Sequence, residues 1–254
     1  MSNPEYNDQE MPLVAHLTEL RSRLLRCIIV VFLLFLGLFP FSQELYALVA
    51  APVRELLPAG STMIATGLPS TFFAPLKLIG YLAVFIAVPY LLYQVWSFIA
   101  PGLYKHEKRI AVPVLISSIL LFYIGMAFAY FVVFPIMVAF LTGVSPEGVV
   151  VMPEISQYLD LVLALFFAFG FAFEVPVATF LLIFVGVVDA DSVSKSRPYV
   201  IVGCFIVGML LTPPDVLSQI LLAVPMWILF ELGLLLGRIM TKRAAESTST
   251  DLVE

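Results

Sequence analysis

Long apolar runs separated by short polar clusters dominate this chain. They predict membrane-spanning segments over about residues 24–41, 76–97, 110–141, 158–188, 199–211 and 216–236. The runs are far longer than barrel strands and show no alternation of period two, so helices are expected. A helix satisfies its backbone groups where no water reaches. The predicted architecture is an all-α integral membrane bundle of six helices.

The connections are equally patterned. Residues 43–57 place Leu45, Leu48, Val49, Val53, Leu56 and Leu57 at helical spacing, with Glu44, Arg54 and Glu55 elsewhere, as in an amphipathic helix at the interface. Pro52 is expected to kink it. Residues 142–156 carry Pro146, Gly148 and Pro153 and read as an irregular external cap. The fifth run is short, about 13 residues or ~20 Å as a helix, and the sixth reaches only about 15 residues before Glu231 interrupts it; both fall below a bilayer core of ~30 Å. Thr212, Pro213, Pro214 and Asp215 form a tight turn between them, where the prolines stop one helix and Asp215 can cap the next.

Composition narrows the class. Of 254 residues 61% are hydrophobic and only 12% charged, which leaves room for one membrane domain over 13–238, flanked by polar ends at 1–12 and 239–254. The acidic N-terminus lacks the features of a cleavable signal peptide, so the first run is expected to remain as a span. A net charge of −5 without a basic, aromatic-laced face speaks against nucleic acid. Cys27 and Cys204 lie within apolar runs and read as small buried hydrophobes. All of the 13 basic residues except Arg54 and Lys77 fall on one side of the predicted topology, which places both termini in the cytoplasm.

Candidate chemistry is sparse. His16 and His106 are the only histidines, and no metal-ligand pair, phosphate loop or nucleophile motif accompanies them, so no enzyme, metal or cofactor is expected. Glu174 sits about 16 residues into the fourth run, between Phe173 and Val175; a carboxylate there either faces a partner, cavity or transport path, or makes an internal hydrogen bond that fixes packing. Glu231, with Arg238 two turns on, suits snorkelling or a simple ion pair. Glu19 beside Arg21 and Arg23, and Glu107 between His106 and Lys108, are each consistent with solvated ion pairs. Presented together, two such carboxylates could each take a guanidinium in a planar, two-point pair that lysine cannot copy.

Residues 16–23 (HLTELRSR) closely resemble the N-terminal cytoplasmic motif of the TatC family, the receptors of the twin-arginine protein translocase. Residues 94–107 (QVWSFIAPGLYKHE) resemble that family's first cytoplasmic loop, 173–176 (FEVP) its fourth helix, and 197–199 (RPY) with 209–215 (MLLTPPD) its fifth helix and last external turn. The match runs in order over about 13–238. The resemblance implies a concave bundle with short fifth and sixth helices in the bacterial inner membrane. Such a receptor binds the paired arginines of signal peptides on folded precursors. With the single-span subunits TatA and TatB, and with copies of itself, it passes them across the membrane using the proton-motive force. It further implies that Glu19 and Glu107 bind the arginines, with Arg21, Arg23 and Phe98 nearby; that Glu174, Met209, Thr212 and Gln219 contact partner helices; and that Pro52 and Asp215 are functionally sensitive. Two other readings stand beside it: a proton-coupled secondary transporter of a small solute, built on Glu174 and two short helices, and a purely structural scaffold.

Overall fold

Each apolar run folds as helix, because inside lipid the backbone has no other partner than itself. The computed structural model describes residues 10–56, 63–99, 108–143, 152–184, 186–211 and 216–251. Helix α1 (Glu10–Leu38) ends in a 3-10 turn at Phe39–Phe41 and passes into α2 (Ser42–Leu56). Then come α3 (Leu68–Ile99), α4 (Lys108–Phe128), a π turn at Ala129–Val133 and α5 (Phe134–Gly143). The chain continues as α6 (Ile155–Ala172), α7 (Val175–Phe184), α8 (Ala190–Lys195), α9 (Arg197–Leu211) and α10 (Val216–Asp251). Among the described residues five helical stretches have the length and apolar content of a membrane span, and Arg197–Leu210 is a shorter apolar helix.

The expected amphipathic helix is α2, and it runs on through Pro52. The short fifth helix is present: fifteen residues, or about 22 Å at the helical rise. The expectation of a short sixth helix is corrected. α10 has 36 residues and its apolar span, Gln219–Ile239, passes straight through Glu231. The carboxylate of Glu231 is paired with Arg197. Most of the external cap, 144–151, lies outside the described residues.

Proline shapes two spans. Pro135 has no N–H for the carbonyl of Phe131, and the turn immediately before it widens to π geometry. In the fourth span Pro176 cannot bond to the carbonyl of Ala172, and α6 stops there. The backbone tightens for one turn, with the N–H of Glu174 donating to the carbonyl of Phe171 at 3.0 Å, before α7 resumes with Ala178 N–H bonding the Glu174 carbonyl at 2.9 Å.

The chain divides into two compact units, Met1–Leu48 with Pro75–Leu115 and Val49–Ala74 with Ile116–Glu254. In the first, the apolar stretch of α1 is unburied, as suits a lipid-facing helix, and an apolar cavity of about 410 Å³ lies between α1 and α3, lined by residues that include Cys27, Val31, Phe35, Gly80 and Leu91. In the second, Phe134, Met137, Tyr158, Leu165, Phe169 and Leu222 form the centre of a core. Lipid tails are as apolar as these side chains, so close packing, rather than escape from water, holds such helices together. Glycine permits it. A Cβ at Gly125 would collide with the carbonyl oxygen of Phe169, and one at Gly233 would lie 2.6 Å from Pro176 Cα, so α4 meets α6, and α10 meets α7, nearly backbone to backbone. At the end of this unit Ile64 pairs with the 153–155 backbone in a short extended bridge, Glu154 caps α6 by accepting from Gln157 N–H at 2.8 Å, and Tyr158 Oη donates to the Val49 carbonyl at 3.0 Å.

Candidate functional site

The sequence leaves one carbonyl near the end of α3 without a partner. In an α-helix the Ser97 carbonyl would accept from the N–H of residue 101, but that residue is Pro101 and has none. Arg23, on α1, supplies the missing donor: its Nη2 bonds the Ser97 carbonyl at 3.1 Å. Nη1 of the same guanidinium donates to Gln94 Oε1 at 3.0 Å, and Gln94 Nε2 in turn donates to Tyr90 Oη at 2.7 Å. Gln94 is buried, so its amide needs both partners.

Glu19 completes the cluster. One turn before Arg23, it accepts from Arg23 Nε at 2.9 Å and Nη2 at 2.6 Å, in the orientation with Glu preceding its base by four residues that helix geometry favours. Both bonds fall on Oε1. Among the described residues nothing donates to Oε2. Arg23 thus spends its donors on a carboxylate, an amide and a carbonyl, while Glu19 keeps one oxygen unshared. The Glu19 side chain is 39% exposed and that of Arg23 21%, so the carboxylate is reachable while the guanidinium is largely enclosed.

The remaining predicted residues fall as follows. Arg21 is exposed on α1, and Phe98 is half-buried in the last turn of α3. Glu107, Thr212 and Asp215 lie outside the described residues, and of Pro52 only its helical backbone is described. Met209 is exposed on α9; Gln219 is half-buried in the first turn of α10, where its backbone faces Gly208. Glu174 sits at the tightened turn between α6 and α7; the buried Ser118 of α4 interacts with its carboxyl, yet Oε1 is buried without a hydrogen-bond partner among the described residues. The expected pairing of Glu231 with Arg238 is replaced by another. Arg197 grips Glu231 with Nε on Oε1 at 2.6 Å and Nη2 on Oε2 at 2.8 Å, and Arg238 bonds Asp191 at 3.2 Å.

The structure therefore brings together Glu19 and Arg23 of the predicted set and adds Gln94, Tyr90 and the Ser97 carbonyl. Two sequence signals point to these additions: an amide inside an apolar helix at Gln94, and a proline four residues after Ser97.

The chain is similar to proteins of known family. Residues 15–225 match the family model described as Sec-independent protein translocase protein (TatC). It is 68% identical over 231 residues to the Sec-independent protein translocase protein TatC of Azotobacter chroococcum mcd 1, covering 91% of each chain. The TatC protein of Escherichia coli (strain K12) is 57% identical over 231 residues, 91% of this chain and 90% of that one. A crystal structure of the twin arginine translocase receptor TatC superposes with a TM-score of 0.81 at 37% identity, covering 89% of this chain and 99% of that one. On these matches, together with the helical membrane architecture, the chain belongs to the TatC family of Sec-independent protein translocases.

Proposed function

We propose that this chain is the receptor core of a twin-arginine translocase, and that Glu19 and Glu107 take up the two arginines of a signal peptide on a folded precursor. One observation carries the reading: Glu19 already holds a guanidinium in a two-donor contact and has a second oxygen unshared among the described residues. A carboxylate so placed favours arginine, whose planar fork makes two parallel bonds, over lysine, whose ammonium is a single point charge.

Both termini and the Glu19 cluster then lie on the cytoplasmic side of the bacterial inner membrane. Glu174, Met209, Thr212 and Gln219 serve as contacts for the helices of TatA and TatB, which join this chain in passing the precursor across at the expense of the proton-motive force. The buried, unpartnered oxygen of Glu174 supports that assignment, since a polar group on a partner helix would satisfy it. The family is one of translocase components, not enzymes, and membership in it leaves the solute-carrier reading without support.

The test is site-directed crosslinking in membranes. Glu19→Ala and Glu107→Ala are each expected to abolish crosslinking to a twin-arginine precursor while the protein still accumulates in the membrane. Undiminished crosslinking in both variants defeats the assignment.

A further inference from the structure

The carboxylate read above as a ligand site for guanidinium is already in contact with one from its own chain. Arg23 makes four hydrogen bonds, and only two of them involve Glu19. The other two, to Gln94 Oε1 and the Ser97 carbonyl, are independent of the acid. They hold the Arg23 side chain in place when its contact with Glu19 is broken: Nη1 and Nη2 each keep an acceptor, and only Nε–H loses its partner.

We infer that Arg23 is a resident competitor: it occupies Glu19 with the same chemical group the ligand brings, and an arriving guanidinium displaces it from Oε1 while Gln94 and the Ser97 carbonyl retain it. The inference rests on the reading of Glu19 as the binding carboxylate. Its consequence is selectivity. An ammonium can approach the unshared Oε2 but offers no fork with which to replace a two-donor contact, whereas a second guanidinium matches the first bond for bond. The resident arginine thereby lowers affinity for every cation and lowers it most for those that are not arginine.

The experiment measures binding of two fluorescent signal peptides, one with paired arginines and one with paired lysines, to the full chain in lipid nanodiscs. Wild type is compared with Arg23→Gln, Arg23→Lys, Glu19→Gln and the Arg23→Gln/Glu19→Gln double variant. Arg23→Gln keeps a donor for its neighbours but removes the competing charge, and is expected to bind the arginine peptide about threefold to tenfold tighter, the range of a charge-assisted, half-exposed contact. It is also expected to narrow the preference for arginine over lysine. Arg23→Lys keeps the charge, loses the fork, and is expected to narrow the preference too; it serves as the readout if the glutamine variant does not fold. The double variant is expected to bind as weakly as Glu19→Gln alone. If Glu19→Gln abolishes binding but the Arg23 variants bind no tighter, or discriminate as well as wild type, Arg23 is an anchor and the competitor role is overturned. If Glu19→Gln leaves binding intact, the assignment of Glu19 itself fails, and the competitor role with it.

Discussion

Two arginine–glutamate pairs stand in different parts of this molecule, and they are built differently. Arg197 and Glu231 join α9 to α10 in a closed fork, each donor on its own oxygen. Arg23 and Glu19 lie on one helix and meet at a single oxygen, while the rest of the guanidinium is committed to α3. The closed pair engages both oxygens of its acid. The open pair leaves its acid half engaged and its base over-engaged. A pair that fixes a helix contact and a pair that waits for a ligand are thus told apart by which oxygens are used, more than by distance or burial.

That contrast can be attacked at the packing beside the closed pair, at the pair itself, and at the support of the open one. The largest effect is expected from Gly233→Leu, two residues beyond Glu231, where a side chain has no room against Pro176. Forcing α10 away from α7 should cost about 1–3 kcal/mol or more, read as a lowered melting midpoint in detergent. Full stability in this variant would mean that α10 and α7 are free to separate. Glu231→Ala comes next. It should lower the midpoint by a few degrees and leave precursor crosslinking unchanged, and the double reversal Arg197→Glu with Glu231→Arg should recover most of the loss; lost crosslinking at normal stability would erase the distinction between the pairs. Gln94→Leu should do least. It removes one of the acceptors of Arg23 and leaves Glu19 and the Ser97 carbonyl, so peptide affinity is expected to move by no more than about threefold, the scale of one ordinary hydrogen bond.

Much of the fold was legible because membrane helices announce themselves by length. Among the described residues each of the six apolar runs is helical over most of its length, and the amphipathic segment expected over 43–57 is α2 at Ser42–Leu56. What sequence concealed is register between segments far apart in the chain. Glu231 was read against Arg238, its neighbour along the helix, whereas its partner Arg197 is 34 residues away and reaches it only because α9 folds back beside α10. The same reliance on neighbours along the chain makes the sixth helix look short, since an acid with no base beside it reads as an end. Glu19 and Arg23 were visible as motif residues, but the acceptors on α3 were not, because 71 residues separate Arg23 from Gln94. Gly233 and Gly237, four apart in α10, were an unread signal of close packing.

The full length of α10 has a mechanical consequence. Thirty-six helical residues extend about 54 Å, while the hydrocarbon layer is ~30 Å thick. Twelve residues, 240–251, continue the same helix past the apolar stretch that ends at Ile239, adding about 18 Å to its length. Residues 240–251 share one helix with the last apolar stretch. A probe fixed at its tip would move about twice as far as the end of the apolar stretch when the helix tilts as one piece.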